Sequence, residues 1–239
     1  MYAGGHTLAG QLGVSRLENQ RASLAGTEGI LWEAGNFELA WHSGRVIVEA
    51  GGTMQRYLDE KRRFTAAYPG VKPSTDGKRH DSGDYRIATI VSITPRDWPL
   101  NGVLRFGTRL PTTDNTVGLD RDAIDFFTTV GAGGSFNRLR LSAESGLGIH
   151  GTRETAFEQD DLLLYDIRAE YPWRLTPSVT IAGQKHGTGH SEIRGVEDLG
   201  EIRIGLKAGN RNWIRGEFVK GYETFSPSAG FIVTAGIFR

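Results

Sequence analysis

Leu139-Arg140-Leu141-Ser142-Ala143-Glu144-Ser145-Gly146-Leu147-Gly148-Ile149-His150 is the stretch whose reading decides the fold. Its odd positions carry nearly all the apolar groups, and its even positions carry Arg, Ser, Glu, Gly and His. That is a period of two, the repeat of a strand with unlike faces. From Asp161 to Tyr171 the pattern returns: Leu163, Tyr165, Ile167, Ala169 and Tyr171 fall on one face, Asp166, Arg168 and Glu170 on the other. No helical period competes in either segment. What remains to be decided is which solvent each face meets.

Composition narrows the answer. The 239 residues fit one all-β domain spanning 1–239, with residues 1–29 its least regular part. Lysine plus arginine (28) balances aspartate plus glutamate (28), so no net field draws the chain to nucleic acid. The chain has no cysteine, which excludes disulfides, thiolate metal sites and cysteine nucleophiles. No apolar run reaches the roughly 18 residues of a transmembrane helix. Transmembrane barrels face lipid only at alternate positions, so a mean hydropathy of −0.35 is compatible with one. Met1 to His6 has neither a basic start nor an apolar segment, so the expectation is a mature or truncated form without a secretion signal. Glycine is abundant at 33 residues, as crowded, twisted strands require.

Outward from the opening pair, extended runs follow one another with no amphipathic helix between them. One strand is expected within 1–29. Ile30 to Trp41 follows, with Gly35 a candidate bulge, and His42-Ser43-Gly44 turns into Arg45 to Leu58. Further strands are read at Tyr85–Thr94, Val103–Leu110, Asp122–Gly131, Ser178–Lys185, Ile202–Ala208, Trp213–Tyr222 and Gly230–Phe238. From Ser43 onward connections alternate short and long, with loops near 59–83, 111–121, 151–160, 186–199 and 223–229. An up-and-down barrel explains this by placing every long loop at one rim, as outer-membrane barrels do; a sandwich gives no reason for it. Counting back from a C-terminal strand ending in the periplasm gives about twelve strands. If residues 1–29 hold two strands, the count becomes fourteen with one more upstream. Trp41, Tyr57, Tyr85, Trp98, Phe126, Tyr171, Trp173, Trp213, Tyr222 and Phe238 fall near strand ends, where interfacial girdles sit.

The ordered set Asp81-Ser82-Gly83-Asp84, Phe106-Gly107-Thr108-Arg109-Leu110-Pro111, Gly118-Leu119-Asp120, Asp125-Phe126-Phe127, Gly146-Leu147-Gly148-Ile149 and Gln159-Asp160-Asp161 resembles the meta-pathway of phenol degradation family and related outer-membrane transporters. The resemblance covers roughly residues 81–239. It implies an outer-membrane barrel admitting hydrophobic or aromatic compounds, and it supplies no catalytic residues. One departure is that Arg239 follows Phe238, where such barrels usually end on an aromatic residue.

The charged face defines the candidate pore lining: Arg86, Arg105, Arg109, Arg140, Glu144, Asp166, Arg168, Glu170, Arg203, Lys207, Arg215 and Glu217. Opposed charges on neighbouring strands are expected to pair across the interior while setting its polarity. His186-Gly187-Thr188-Gly189-His190-Ser191-Glu192 holds nucleophile, base and acid types, but neighbours in one loop rarely assemble a triad, so no enzyme is expected. Asp114, Asp120, Asp122 and Asp125 miss the EF-hand spacing, so neither metal nor cofactor is expected. The basic loop Lys61-Arg62-Arg63 with Lys72, Lys78, Arg79 and His80 reads as solvated charge that could meet lipopolysaccharide phosphates. The expectation is an outer-membrane channel or uptake pore for small molecules, with outer-membrane lipid and lipopolysaccharide as surroundings. The competing readings are a closed-lumen surface barrel and, behind it, a lipid-modifying enzyme.

Overall fold

The computed structural model describes residues 6–95, 98–154, 157–187 and 193–239, and every regular element in them is a strand. In chain order these are β1 (Thr7–Ala22), β2 (Thr27–Ser43), β3 (Val46–Arg63), β4 (Lys78–Asp81), β5 (Tyr85–Ser92), β6 (Leu100–Leu110), β7 (Asp125–Phe136), β8 (Leu139–Glu154), β9 (Phe157–Glu170), β10 (Leu175–His186), β11 (Leu199–Gly209), β12 (Asn212–Gly221) and β13 (Ala229–Phe238). Each stave pairs antiparallel with its sequence neighbours, and β1 closes on β13 from Ala9↔Phe238 to Glu18↔Ala229. Short β4 adds only to the upper part of β3, through Arg56↔Asp81 to Asp59↔Lys78. The barrel therefore has twelve staves and one accessory strand. A closed ring leaves no edge unpaired, which is what allows strands to sit in hydrocarbon.

The single strand expected in 1–29 is β1, and the bulge at Gly35 is real. The β1–β2 register skips that residue between Gly13↔Asn36 and Val14↔Ala34, and its φ of 73° is one that a glycine adopts without strain. Other boundaries move. The expected loop at 151–160 is largely strand, because β8 and β9 keep pairing to Glu154↔Phe157. Residues 133–136 belong to β7, and the β7–β8 turn is Asn137-Arg138, with Asn137 at φ 56°. The stretch 59–83 is not one loop, since β3 runs on to Arg63 and β4 lies within it. These are places where pairing with a neighbouring strand overrides a polar local composition.

Side-chain alternation sets the two solvents. Leu139, Leu141, Leu147, Ile149, Leu163 and Ile167 are all exposed, as are Ile204, Phe231 and Val233 on later staves. An exposed apolar belt around a closed barrel is the surface that lipid covers. Nine of the ten expected girdle aromatics are on the exposed surface. Trp213 is the exception: it shares the inward parity of Arg215 and Glu217 and lies over its strand partner Gly236, where any Cβ would collide with the indole ring.

β1, β2 and β3 have 16, 17 and 18 residues, against about 9–11 needed to cross a bilayer. The short β2–β3 turn at Gly44 and the start of β1 lie at one rim, so the excess length rises from the opposite rim. That rim also carries the connections 64–84, 111–124, 187–198 and 222–228, and both described chain ends lie at the short-turn rim.

Candidate functional site

The polar face is the concave one. Arg215 on β12 reaches Glu170 on β9 at 3.0 Å, although three strand spacings of about 4.8 Å separate them along the wall. Only side chains pointing to the inside of the curve can meet over that distance. Arg105 spans neighbours in the same way, donating to Glu49 on β3 at 2.6 Å and lying 3.0 Å from Glu144 on β8. Arg86 meets Glu38 at 2.8 Å, Arg168 meets Glu170 at 2.8 Å, and Arg203 pairs with Glu201. Glu144 also accepts from Thr129 Oγ1. Of the twelve expected lining residues, Arg140, Asp166, Lys207 and Glu217 form no ion pair among the described residues, although they share the same inward parity. The lumen stays wet around these pairs: Arg86 keeps 53% of its side chain exposed.

Arg109 belongs to a different structure, a cap over the long-loop rim that the sequence did not predict. The β1–β2 turn bends inward and is fully covered, with Leu24 at 1% and Ala25 at 0% exposure. Three loops cover it. Tyr68 N donates to Leu24 O at 2.7 Å, Ala25 N to Gly118 O at 3.2 Å, and Gly195 N to Ser23 Oγ at 3.0 Å. Arg194, between β10 and β11, donates to Ala66 O at 2.9 Å and Thr65 Oγ1 at 3.1 Å. The β3–β5 and β10–β11 connections start half the circumference apart, so this contact crosses the whole mouth. Beneath it Ala22, Ala25, Leu31 and Leu58 form an apolar core, with Leu17 and Leu119 packed on it.

Arginines fasten the cap to the staves. Arg121, 2% exposed, donates from Nε to Gly151 O at 2.7 Å and from Nη1 to Gly195 O, while its Nη2 lies 2.5 and 2.6 Å from the Asp125 carboxylate oxygens and 2.7 Å from His150 Nδ1. Arg109 reaches Asp125 at 2.6 Å and Asp84 at 3.2 Å, and Arg56 joins Glu33 at 3.2 Å to Asp120 at 3.1 Å. The expected solvated loop charge is in part cap interior: Arg79 is 5% exposed, pairs with Glu60 and donates to Lys72 O and Val117 O. Asp120 and Asp125 are thus arginine partners, and Asp114 caps Thr116 N at 2.7 Å. On the far wall His186 sits between Asp198 Oδ1 and Asp160 Oδ2, each 2.7 Å from a ring nitrogen. Both nitrogens face carboxylates, and only the imidazolium can donate to both. A cavity of about 150 Å³ remains below the cap, lined by Arg56, Arg109, Arg121, Asp120, Leu24 and Glu197 among others. Of the triad candidate, His190, Ser191 and Glu192 lie outside the described residues.

The cap titrates. The Asp84 carboxyl is pushed up to about 6, first by burial and then by the charge of Asp120, against the pull of Arg109 and the Thr112 N–H. Burial also pushes Asp120 upward, but Arg109, Arg56 and Arg121 outweigh it and hold that carboxyl below the usual range. A proton on Asp84 therefore favours the closed cap. This stabilisation is full below the ordinary carboxyl value of about 3.9 and is lost as pH rises through about 6. Hydrogen exchange of segment 64–77 should accordingly speed up between about pH 4 and about pH 6 after correction for the intrinsic rate. Asp84→Asn should flatten that dependence; an unchanged pH profile in the variant would place the titrating group elsewhere.

A closed twelve-stave barrel with an apolar outer belt and a charged, wet interior defines an outer-membrane β-barrel of Gram-negative bacteria. Among solved structures the chain is similar to an outer membrane channel from Pseudomonas putida F1, with a TM-score of 0.67 at 8% identity, covering 100% of this chain and 97% of that one. The translocator domain of the autotransporter NalP from Neisseria meningitidis matches at a TM-score of 0.49 and 12% identity, over 100% of this chain and 88% of that one. An outer membrane protein of Vibrio cholerae, OmpT with loop L8 deleted, matches at 0.45 and 11% identity over 100% of both chains. No family model and no curated protein matches the sequence.

Proposed function

We propose that the chain is a passive outer-membrane channel for small molecules, with an extracellular cap that regulates entry. The observation that carries the reading is the wet lumen: inward-facing Arg86, Arg168 and Arg203 keep 53%, 31% and 37% of their side chains exposed. A barrel serving only as a scaffold gains nothing from burying fewer of its charges. Pairing along the wall offsets the desolvation cost of each charge there and leaves the axis to water and solute. All twelve lining residues, Arg109 in its cap role, belong to this pathway. The similar Pseudomonas putida channel supports the reading, and the family resemblance of residues 81–239 adds hydrophobic or aromatic compounds as solutes. Outer-membrane lipid covers the belt, and lipopolysaccharide meets the outer rim. No catalytic role is assigned.

One observation favours a second reading. Loops meeting across the full diameter of the mouth suit a surface-binding barrel whose lumen stays shut. Planar-bilayer recording separates the two. The channel reading expects unitary conductance from the purified protein and solute flux in liposomes; silence in both, from protein with the gel shift of a folded barrel, would leave the closed-lumen reading standing.

A further inference from the structure

The charge inside the barrel is not evenly spread. On the β8–β12 wall near the short-turn rim, Arg140, Arg168, Lys207 and Arg215 face inward with two carboxylates between them, Glu170 and Glu217. Arg168 and Arg215 share a single oxygen, Glu170 Oε1, at 2.8 and 3.0 Å. Lys207 lies within electrostatic range of Arg140, Arg168 and Arg215, and Glu170 is the one acid among its principal charged neighbours. Its ammonium, 5.9 Å from the Trp213 ring centre, rests on the same indole that Arg215 approaches at 5.5 Å. The buried Nε atoms of Arg168 and Arg215 have no hydrogen-bond partner among the described residues. Like charges gathered this closely repel one another, and a chain selected only for stability would dilute or pair them.

Beside the cluster is a cleft of about 280 Å³, lined by Ser135, Arg140, Ser142, Arg168 and Glu170 with parts of Gly134 and Leu141. Two hydroxyls and two guanidinium groups converge there, the donor set that recognises an oxyanion. We propose that this cleft is an anion-binding site in the periplasmic vestibule, selecting small carboxylates or phosphates and making the pore anion-selective. The inference rests on the channel reading for its transport role, but the binding itself does not. Ser135 and Ser142 lie opposite Arg140 and Arg168 on the inward face that also carries Glu170, so the ligand is a free solute of the lumen.

The test has two arms. In the first, detergent-solubilised protein is titrated with inorganic phosphate while the fluorescence of Trp213 is followed, with Trp213→Phe identifying the signal. A saturable change is expected, weakened about 3-fold in Lys207→Gln and again in Arg140→Gln, as one charge about 6 Å away in a water-like medium gives. Neither residue holds an ion pair among the described residues, so both variants should keep the folded gel shift. In the second arm, the reversal potential in a KCl gradient should show chloride preference in the parent and move toward zero in K207Q. Absence of a saturable phosphate response in folded protein overturns the site. Binding without conductance would instead contradict the channel reading and leave the site intact, and conductance with no anion preference would remove its role in selection.

Discussion

Arg121→Ala should free the cap while leaving the barrel closed, raising hydrogen exchange of segments 64–77 and 114–120 by at least about 10-fold and increasing unitary conductance. The reasoning starts from burial. Arg121 is 2% exposed and spends its donors on one stave (Gly151 O), one opposing loop (Gly195 O) and one carboxylate (Asp125). Removing one partner of a buried ion pair typically costs about 3–5 kcal/mol, because the remaining charge stays desolvated. Here Arg109 still holds Asp125 at 2.6 Å, which keeps the loss toward the lower end of that range. Even about 1.4 kcal/mol multiplies an opening equilibrium tenfold. Arg121→Lys, which keeps the charge but loses the planar fork, should fall between the two. The stave ladders contain no bond from Arg121, so urea stability of the barrel should change far less than loop exchange. Equal acceleration of loops and staves would mean that Arg121 holds up the whole fold; no acceleration would remove it as the fastening of the cap.

The alternation at Leu139–His150 was enough to find the staves, because a period of two survives whatever the neighbouring strand does. Loop lengths then oriented them, and the charged face of β8 and β9 proved to be the concave one. Trp213 went astray for a physical reason: its place near a strand end matches a girdle residue, and only the parity shared with Arg215 and Glu217 shows it to be inward. That parity was readable, and the end position outweighed it. The cap was not readable. Its parts come from the β1–β2 turn, the segments 64–77 and 111–124, and residues 193–197, and each alone looks like an ordinary turn or loop. What buries Arg79 and Arg121 is contact with loops distant in the sequence, Val117 O for one and Gly195 O for the other, and no local pattern encodes that. The nearest hint was Asp120 with Asp125 close to Arg109 and Arg121, acids and arginines in balance where a calcium loop would show acids alone.

Gly146→Val is expected to abolish the closed barrel, and the neighbouring Leu147→Val is expected to leave it intact. Gly146 lies on the inward face of β8 opposite Thr129. A Cβ built there would stand 2.0 Å from Thr128 O and 2.5 Å from Thr129 Cα, both main-chain atoms that cannot turn aside. Overpacking among flexible side chains costs about 1–3 kcal/mol; against backbone the β7–β8 ladder itself must open, and the cost exceeds that range. A barrel has no spare edge on which to relax, since parting two staves breaks the ring. Two positions on, Gly148 serves the cap: a Cβ there would meet His150 Nε2 at 2.6 Å, the ring that lies against Arg121 and Asp125. The pair in Gly146-Leu147-Gly148-Ile149 thus has two separate reasons to be glycine, one for closing the wall and one for seating the cap. Leu147, 54% exposed toward lipid, has neither constraint. After refolding into detergent, unboiled L147V should migrate as a compact barrel and unboiled G146V as an unfolded chain. Wild-type-like migration of G146V would mean that β7 and β8 part at this point without opening the ring.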